Sequence, residues 1–567
     1  MTVFNVPPHK TQFRFKKNLD MVWKYLYPVR SWKISASMKT ILAIIFACFC
    51  FTKANAAGVT IITHGYELDG EYPTWVTAMA DEIPNYYQLP VTNFTTYKIT
   101  LTTDGSNYYY QWQRTNGSPP TVTDTGEIIV ELDWSQMDGG PLEFDNYDLS
   151  TSIVAPILSD VILRTNIISE LNGHALAEYP IHLIGHSRGG SLMNEVSRIL
   201  GTNGVWVDHL TTLDPHPLNN DGNFDLGYPT DASAANTYAN VLFHDNFYQE
   251  TGLGAAFGEP DGEPTAGAYN RLLSGVEIDG GYGNYHSNVH LWYHGTVELN
   301  TPANDTGATI TSTERTNWWY NSEDEGVISG FYYSLIGGGD RTSYLPLGLP
   351  ADPMIRDGYN QSWNIDLGAG FSNNRTSLPS NSGTWPNIIK FFLTGTNTVL
   401  AGQQIATEFY YQYGGASNNV TAQIYFDRDL NPYNTNSTLA IQGSLTNTGV
   451  LSIHPVTASL NSTNIRAGVY AVYAKMTDGI HTRYLYLPQF VTIISNLQPP
   501  TLDIQKSGVA QFIIGINGVP GQKIILQTSS SLQSWTPLAT NTLTTIRWTY
   551  TNNLSANVQF YRAVLSP

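Results

Sequence analysis

One stretch, Ile181-His182-Leu183-Ile184-Gly185-His186-Ser187-Arg188-Gly189-Gly190, constrains this chain more than any other. Pro180 to Ile184 is an apolar run of strand length, and Leu192, Val196, Ile199 and Leu200 recur at helical spacing beyond the glycines. The segment reads as a buried strand, a tight turn and a helix starting near Ser191. A strand that passes straight into a helix needs a turn with little side-chain bulk, which Gly185 and Gly189 supply around Ser187. Such a turn lifts the Ser187 hydroxyl clear of the sheet and aims the Arg188 backbone N–H at the place where charge develops on an attacked carbonyl oxygen. The competing reading is a plain glycine-rich loop beside a core strand.

The rest of the chain follows the same alternation as far as Leu299. Strands are expected at Val59–Thr63, Tyr97–Leu101, Glu127–Leu132, Val205–Leu213 and Asn240–Phe243, with helices at Pro73–Ile83 and within Leu149–Leu171. The predicted fold class is α/β, a mostly parallel sheet with helices on both faces, over residues 58–385. Residues 300–385 form a loop-rich extension packed on that unit, a candidate lid. After Trp385 the helical period disappears. Short alternating runs at Ile405–Tyr411, Thr421–Phe426, Gly468–Ala474 and Thr482–Leu487 predict an immunoglobulin-like β-sandwich over residues 386–498. Pro499-Pro500 then leads into a small β module, 499–567, which resembles modules at the C-termini of exported bacterial proteins.

Residues 1–57 stand apart. Lys39 followed by the apolar run Ile41–Phe51 and by Ala54-Asn55-Ala56 has the layout of a secretory signal peptide, with Met38 as its start; a membrane anchor is the alternative. Residues 1–37 are then a mis-assigned upstream extension or a long n-region. Both cysteines, Cys48 and Cys50, lie in the apolar run, so cleavage leaves a chain without thiols or disulfides. Residues 1–57 hold 9 of the 28 Lys+Arg and 1 of the 46 Asp+Glu, which takes the net charge from −18 to −26 in the remainder. That surface disfavours nucleic acid and anionic membranes and suits a secreted or cell-envelope protein. The C-terminal β domains could attach it to a cell surface or a polymer.

A serine hydroxyl is a poor nucleophile near neutral pH unless a base takes its proton and an acid orients that base. Two acids stand at the ends of expected strands, Asp214 in Thr212-Leu213-Asp214-Pro215 and Asp245 in Phe243-His244-Asp245. Candidate bases lie in Tyr285-His286-Ser287-Asn288-Val289-His290, where His286 lies at the entry to a helix with Ser287 as a candidate N-cap and His290 is the second choice; a base this late in the chain is what the family resemblance given below implies. The His290/His294 spacing would also suit a metal, though without the intervening Glu of His-Glu-x-x-His. The turn His64-Gly65-Tyr66-Glu67 follows the first strand, where the resemblance given below implies a second oxyanion donor: the Tyr66 N–H, with Glu67 as alternative, while His64 holds the loop. The loops Asn219–Asp225 and Asp427–Asn431 carry oxygen ligands at alternate positions, which leaves structural calcium as a candidate against plain turns. No other cofactor is called for. The aromatic runs Tyr108-Tyr109-Tyr110 and Trp318-Trp319-Tyr320 read first as core packing and second as substrate contacts.

In this order the His-Gly turn, the Gly-x-Ser-x-Gly joint, Leu213-Asp214-Pro215 and the late histidine resemble the α/β-hydrolase superfamily, lipase/esterase branch, over residues 58–300. The resemblance implies an exported serine hydrolase acting on lipid or acyl esters with Ser187, His286 and Asp214 as triad, Asp245 as the alternate acid, and Tyr66 and Arg188 as oxyanion donors. Arg188 departs from the aliphatic residue usual after the nucleophile. Its side chain is expected to narrow the acyl pocket or bind a substrate oxygen, which counts against long-chain triglycerides. An amide, thioester or polyester substrate, or a non-catalytic surface protein on such a scaffold, are the alternatives.

Overall fold

The computed structural model describes residues 57–566, apart from 68–69, 88–92, 140–146, 222–226, 252–260, 274, 276, 299–304, 306, 309, 320–328, 340–374, 379–384, 416–419, 451, 496–498, 509–510, 521 and 554–558. The expected signal segment to Ala56, both cysteines, much of the candidate lid and part of the Asn219–Asp225 loop lie outside the described residues.

The first sheet has eight strands: β1 (Val59–Thr63), β2 (Thr95–Thr103), β3 (Tyr108–Gly117), β4 (Ile128–Asp133), β5 (Ile181–His186), β6 (Val207–Leu213), β7 (Val241–Tyr248) and β8 (Tyr269–Leu272). Their order is β3-β2-β4-β1-β5-β6-β7-β8. Neighbours from β2 to β8 run parallel, whereas β3 runs antiparallel to β2, so the sheet is mixed. Central β1, Val-Thr-Ile-Ile-Thr, is buried along its whole length, as its β-branched run requires. The helices are α1 (Thr74–Glu82), α2 (Thr151–Leu163), α3 (Arg188–Thr202), α4 (Tyr285–Val297) and α5 (Ser312–Trp319). The helix expected to reach Leu171 stops at Leu163, because Arg164 takes an extended conformation and only a short 3-10 turn, Ser169–Leu171, follows.

Two strand differences matter for function. β7 continues well past Phe243 to Tyr248 and is buried throughout, which places Asp245 inside the strand and not at its end. The aromatic run Tyr108–Tyr110 is not core: it lies on edge strand β3, with Tyr108 and Tyr109 both 47% exposed. Trp318, in contrast, is fully buried, and its carbonyl accepts the Trp292 indole N–H at 2.9 Å.

From Asn387 onward the elements among the described residues are all β. Strands β9 (Asn387–Leu393), β10 (Thr398–Leu400), β11 (Gln404–Gln412), β12 (Val420–Asp427), β13 (Thr438–Leu445), β14 (His454–Asn461), β15 (Gly468–Thr477), β16 (Thr482–Tyr486) and β17 (Val491–Ile494) form two sheets. One is ordered β10-β17-β15-β12-β13, with β16 on β15; the other is β14-β11-β9. Alternating residues such as Ile405, Phe409, Ile424 and Val472 fill the space between them. Polar side chains tie this unit to the first: Arg483 donates to the carbonyls of Ala177 (2.8 Å) and Trp206 (3.1 Å), and Asn431 to that of Pro120 (2.5 Å). The module at the C-terminus pairs β18 (Thr501–Lys506), β19 (Gln511–Asn517) and β22 (Arg547–Asn553) in one sheet, and β20 (Lys523–Ser529), β21 (Thr536–Thr542) and β23 (Phe560–Leu565) in another.

The protein is thus β-rich, with several sheets and C-terminal β domains. The expected α/β-hydrolase core is not confirmed: among the described residues helices are few, and antiparallel β3 makes the first sheet mixed. The loop at Asp427–Asn431 works as a polar turn. Asp427 accepts from Tyr486, Asp429 accepts from the Asn431 N–H and from Asn434, and Asn431 is spent on the Pro120 contact.

Candidate active site

Ser187 sits at the joint between β5 and α3 with φ 57° and ψ −128°, a backbone region that side-chain-bearing residues rarely adopt. Such strain costs on the order of 1–3 kcal/mol and persists where the surroundings over-determine it. Here they do. The Ser187 N–H donates to the Leu213 carbonyl at 2.9 Å, and its own carbonyl accepts from Gly190 at 2.9 Å. Glycine is required where backbones converge: a Cβ on Gly65 would stand 2.5 Å from the Ser187 Cβ and 2.9 Å from its Oγ, and one on Gly185 would overlap the Gly189 carbonyl. The His64-Gly65 loop therefore lies directly against the Ser187 hydroxyl.

Asp214 closes β6, itself at φ 46° and with its carboxyl fully buried. Its Oδ2 is 2.6 Å from His286 Nδ1. Gln249 holds the same carboxyl through its backbone N–H (2.9 Å to Oδ1) and side-chain amide (3.0 Å to Oδ2). His286 enters from the first turn of α4, whose cap is Asn284 and not Ser287: the Asn284 Oδ1 accepts the Ser287 N–H at 2.7 Å. Burial, with a smaller contribution from the His216 ring, holds His286 down to about 3, so the ring is neutral and able to accept a proton. Burial also pushes Asp214 up to about 7, and the two Gln249 donors oppose it by favouring the carboxylate. His286 remains 14% exposed, on the side of a cavity of about 330 Å³ that Ser187 also lines.

The alternates fall elsewhere. Asp245 pairs with His209 Nε2 at 2.8 Å, both side chains fully buried, and takes no part in the cavity. His290 lines the cavity but stacks on Trp75, ring centroids 4.2 Å apart, away from Asp214. His294 Nδ1 is 2.9 Å from Asp305 Oδ1, and among the described residues no group of three His, Cys, Asp or Glu is placed to hold a metal. The Glu67 N–H donates to Asp138 Oδ2 at 3.0 Å, and Tyr66 lines the cavity. His64 does anchor that loop: its Nδ1–H donates to the Gly65 carbonyl at 2.9 Å, and Trp134 donates from its indole to the His64 carbonyl at 3.1 Å.

The Arg188 side chain corrects an expectation. It is fully buried and never reaches the cavity. Its guanidinium grips Asp231 with two 2.8 Å bonds and donates to the carbonyls of Asp138 (2.5 Å) and Leu149 (2.9 Å). Asp231 in turn accepts the Leu218 N–H at 3.1 Å, so one side chain next to Ser187 gathers three loops. The backbone N–H of Arg188 opens α3, where first-turn N–H groups have no helical acceptor. The sequence reading also missed His186. Its Nε2–H donates to the His286 carbonyl at 3.0 Å, which joins the strand leading to Ser187 to the helix that carries His286. Its position inside the Gly-x-Ser-x-Gly motif was the available signal.

Comparison with known proteins overturns the family resemblance. No family profile matches the chain, and no curated protein matches it. Among solved structures it is matched to a CARDB domain of a Pyrococcus furiosus protein in complex with di-metal ions, at 12% identity over 20% of this chain and 96% of that one, with a TM-score of 0.14. A cytokine receptor complex is matched at 11% identity over 31% of this chain and 91% of that one, with a TM-score of 0.13. Neither likeness is close enough to carry an argument. Membership of the α/β-hydrolase superfamily is therefore set aside. The resemblance rested on short motifs in sequence order, and a tight strand–turn–helix joint demands glycines around a small residue in any fold.

Proposed function

We propose that this protein is a serine hydrolase that cleaves carboxylic esters through an acyl-enzyme. The observation that carries the reading is the 2.6 Å contact of buried Asp214 with His286 Nδ1, where His286 and a backbone-strained Ser187 line one cavity. Asp214 fixes the Nδ1–H tautomer of His286 and leaves its Nε2 to take the Ser187 proton as Oγ attacks the ester carbonyl carbon. The carbonyl π pair moves onto oxygen, where the N–H groups of Arg188 and Tyr66 hold the oxyanion. Collapse of the tetrahedral adduct breaks the C–O bond, and the imidazolium returns its proton to the departing alcohol. Water then repeats the sequence on the acyl-enzyme, releasing the acid and restoring Ser187. The cavity of about 330 Å³ is at the small end of ligand pockets, which favours short esters over long acyl chains.

The test is covalent labelling of the full chain with a fluorophosphonate, located by peptide mass spectrometry. An adduct on Ser187, lost in Ser187→Ala, supports the reading; a folded protein that stays unlabelled overturns it.

A further inference from the structure

His290 lies one helical turn beyond His286 on α4, and both imidazoles line the cavity. The reaction above has no use for it. Its ring is 3% exposed and clamped by aromatic neighbours: Trp75 stacked at 4.2 Å, Tyr282 tilted at 5.2 Å and His186 edge-on at 4.7 Å between centroids. The Nδ1 is buried and makes no hydrogen bond among the described residues. It faces Asp305, whose Oδ2 is 3.9 Å away and whose carboxyl is already held by His294 Nδ1 (2.9 Å) and the Tyr282 hydroxyl (3.0 Å).

A carboxylate on the Nδ1 side favours the proton there and leaves the lone pair on Nε2. Only Nδ1 is buried without a partner, and the residue lines the cavity, so Nε2 is the ring nitrogen left for a ligand there. Burial, with smaller contributions from His186, His286 and His294, keeps the ring well below the ordinary histidine range and hence neutral. The cavity that Ser187 also lines thus holds a fixed, uncharged imidazole between aromatic faces.

We infer that His290 Nε2 accepts a hydrogen bond from a substrate hydroxyl, which makes hydroxylated esters, of hydroxy acids or of polyols, the preferred substrate class. The inference rests on the serine-hydrolase reading. A hydroxyl that meets this acceptor keeps its hydrogen bond on binding; an ester without one strands a partly buried acceptor. The flanking rings of Trp75 and Tyr282 would pack against the C–H faces of such a substrate.

Two matched pairs test it by kcat/KM: p-nitrophenyl 3-hydroxybutyrate against p-nitrophenyl butyrate, and glycerol monobutyrate against propyl butyrate. At least one hydroxylated member is expected to be preferred by about tenfold or more, with the preference falling to within about threefold in His290→Phe. Should His290→Phe melt, Asp305→Asn carries the test: it keeps the side-chain shape, removes the charge that sets the tautomer, and is expected to narrow the same ratio. Indifference to the hydroxyl in both pairs, or a preference that survives in a folded variant, overturns the inference. A wild-type chain that takes the fluorophosphonate on Ser187 but shows no preference fails this inference alone. One that takes no label and turns over neither pair fails the hydrolase reading, and this inference with it.

Discussion

Two histidine–aspartate pairs stand on neighbouring strands of the same sheet. Asp214, at the end of β6, meets His286 at 2.6 Å, and Asp245, within β7, meets His209 at 2.8 Å. As pairs they are nearly alike, and their surroundings separate them. His209 stacks on His182 with centroids 3.9 Å apart, and Thr211 donates to Asp245 at 2.6 Å, all of it inside the sheet's packing. His286 opens on a cavity beside a serine held in a rare backbone conformation. A buried imidazole–carboxylate contact satisfies polar groups wherever it occurs. It becomes chemistry only where a nucleophile and room for a substrate adjoin it.

The largest expected effect tests the cavity pair. Ser187→Ala and His286→Ala should each lower ester kcat per folded molecule by at least about 10⁴-fold, with the thermal midpoint little changed in Ser187→Ala. Residual turnover within a hundredfold of wild type would break the assignment. Next, the two acids should diverge. Asp214→Asn should cost about 10³–10⁴ in kcat by presenting His286 with the wrong tautomer. Asp245→Asn should leave kcat per folded molecule within about threefold, yet lower stability by about 3–5 kcal/mol because it leaves a buried partner uncompensated. Active-site titration alongside urea unfolding separates the two outcomes; a large kcat loss in Asp245→Asn on folded protein would erase the distinction. Gly65→Ala should fall between them. The new methyl meets the Ser187 side chain, so kcat should drop about 10²-fold through misplacement of the nucleophile. An unchanged kcat there would mean that the loop yields at little cost.

The sequence made some of this readable and hid the rest, for local reasons. The joint at Ser187 was legible because two demands coincide in one short segment: apolar burial before it and close backbone approach at Gly185 and Gly189. The strands at Val59–Thr63 and in the sandwich were legible from β-branched runs and strict alternation. The place of Asp245 in the strand was not, because His244, Asp245 and Asn246 look like the end of a strand. They are in fact a buried polar continuation of β7, satisfied by Thr211, Thr212 and Asn270 across the sheet. Polar residues in a strand interior break the hydropathy pattern while keeping the hydrogen bonds. The family resemblance failed for a related reason: the motifs encode local backbone geometry and carry no information about how many helices the remaining chain will form.

The smallest effect sharpens the comparison most finely, because it touches position without touching chemistry. His286 is carried on a helix end and His209 within a strand, so only the first depends on a cap. Asn284 accepts the Ser287 N–H at 2.7 Å and so fixes the first turn of α4, which holds His286 against Asp214. Asn284→Ala should lower stability by about 1 kcal/mol. It should also lower kcat severalfold, as the fraying turn lets the imidazole drift from its carboxylate. Asn284→Ser or Asn284→Asp, which cap comparably, should restore both. KM for a short ester should stay nearly constant across the series, since the capping side chain does not line the cavity. If Asn284→Ala loses stability but keeps full kcat, the His186 bond to the His286 carbonyl is the stronger clamp. The position of the base is then set from the nucleophile's strand and not from its own helix.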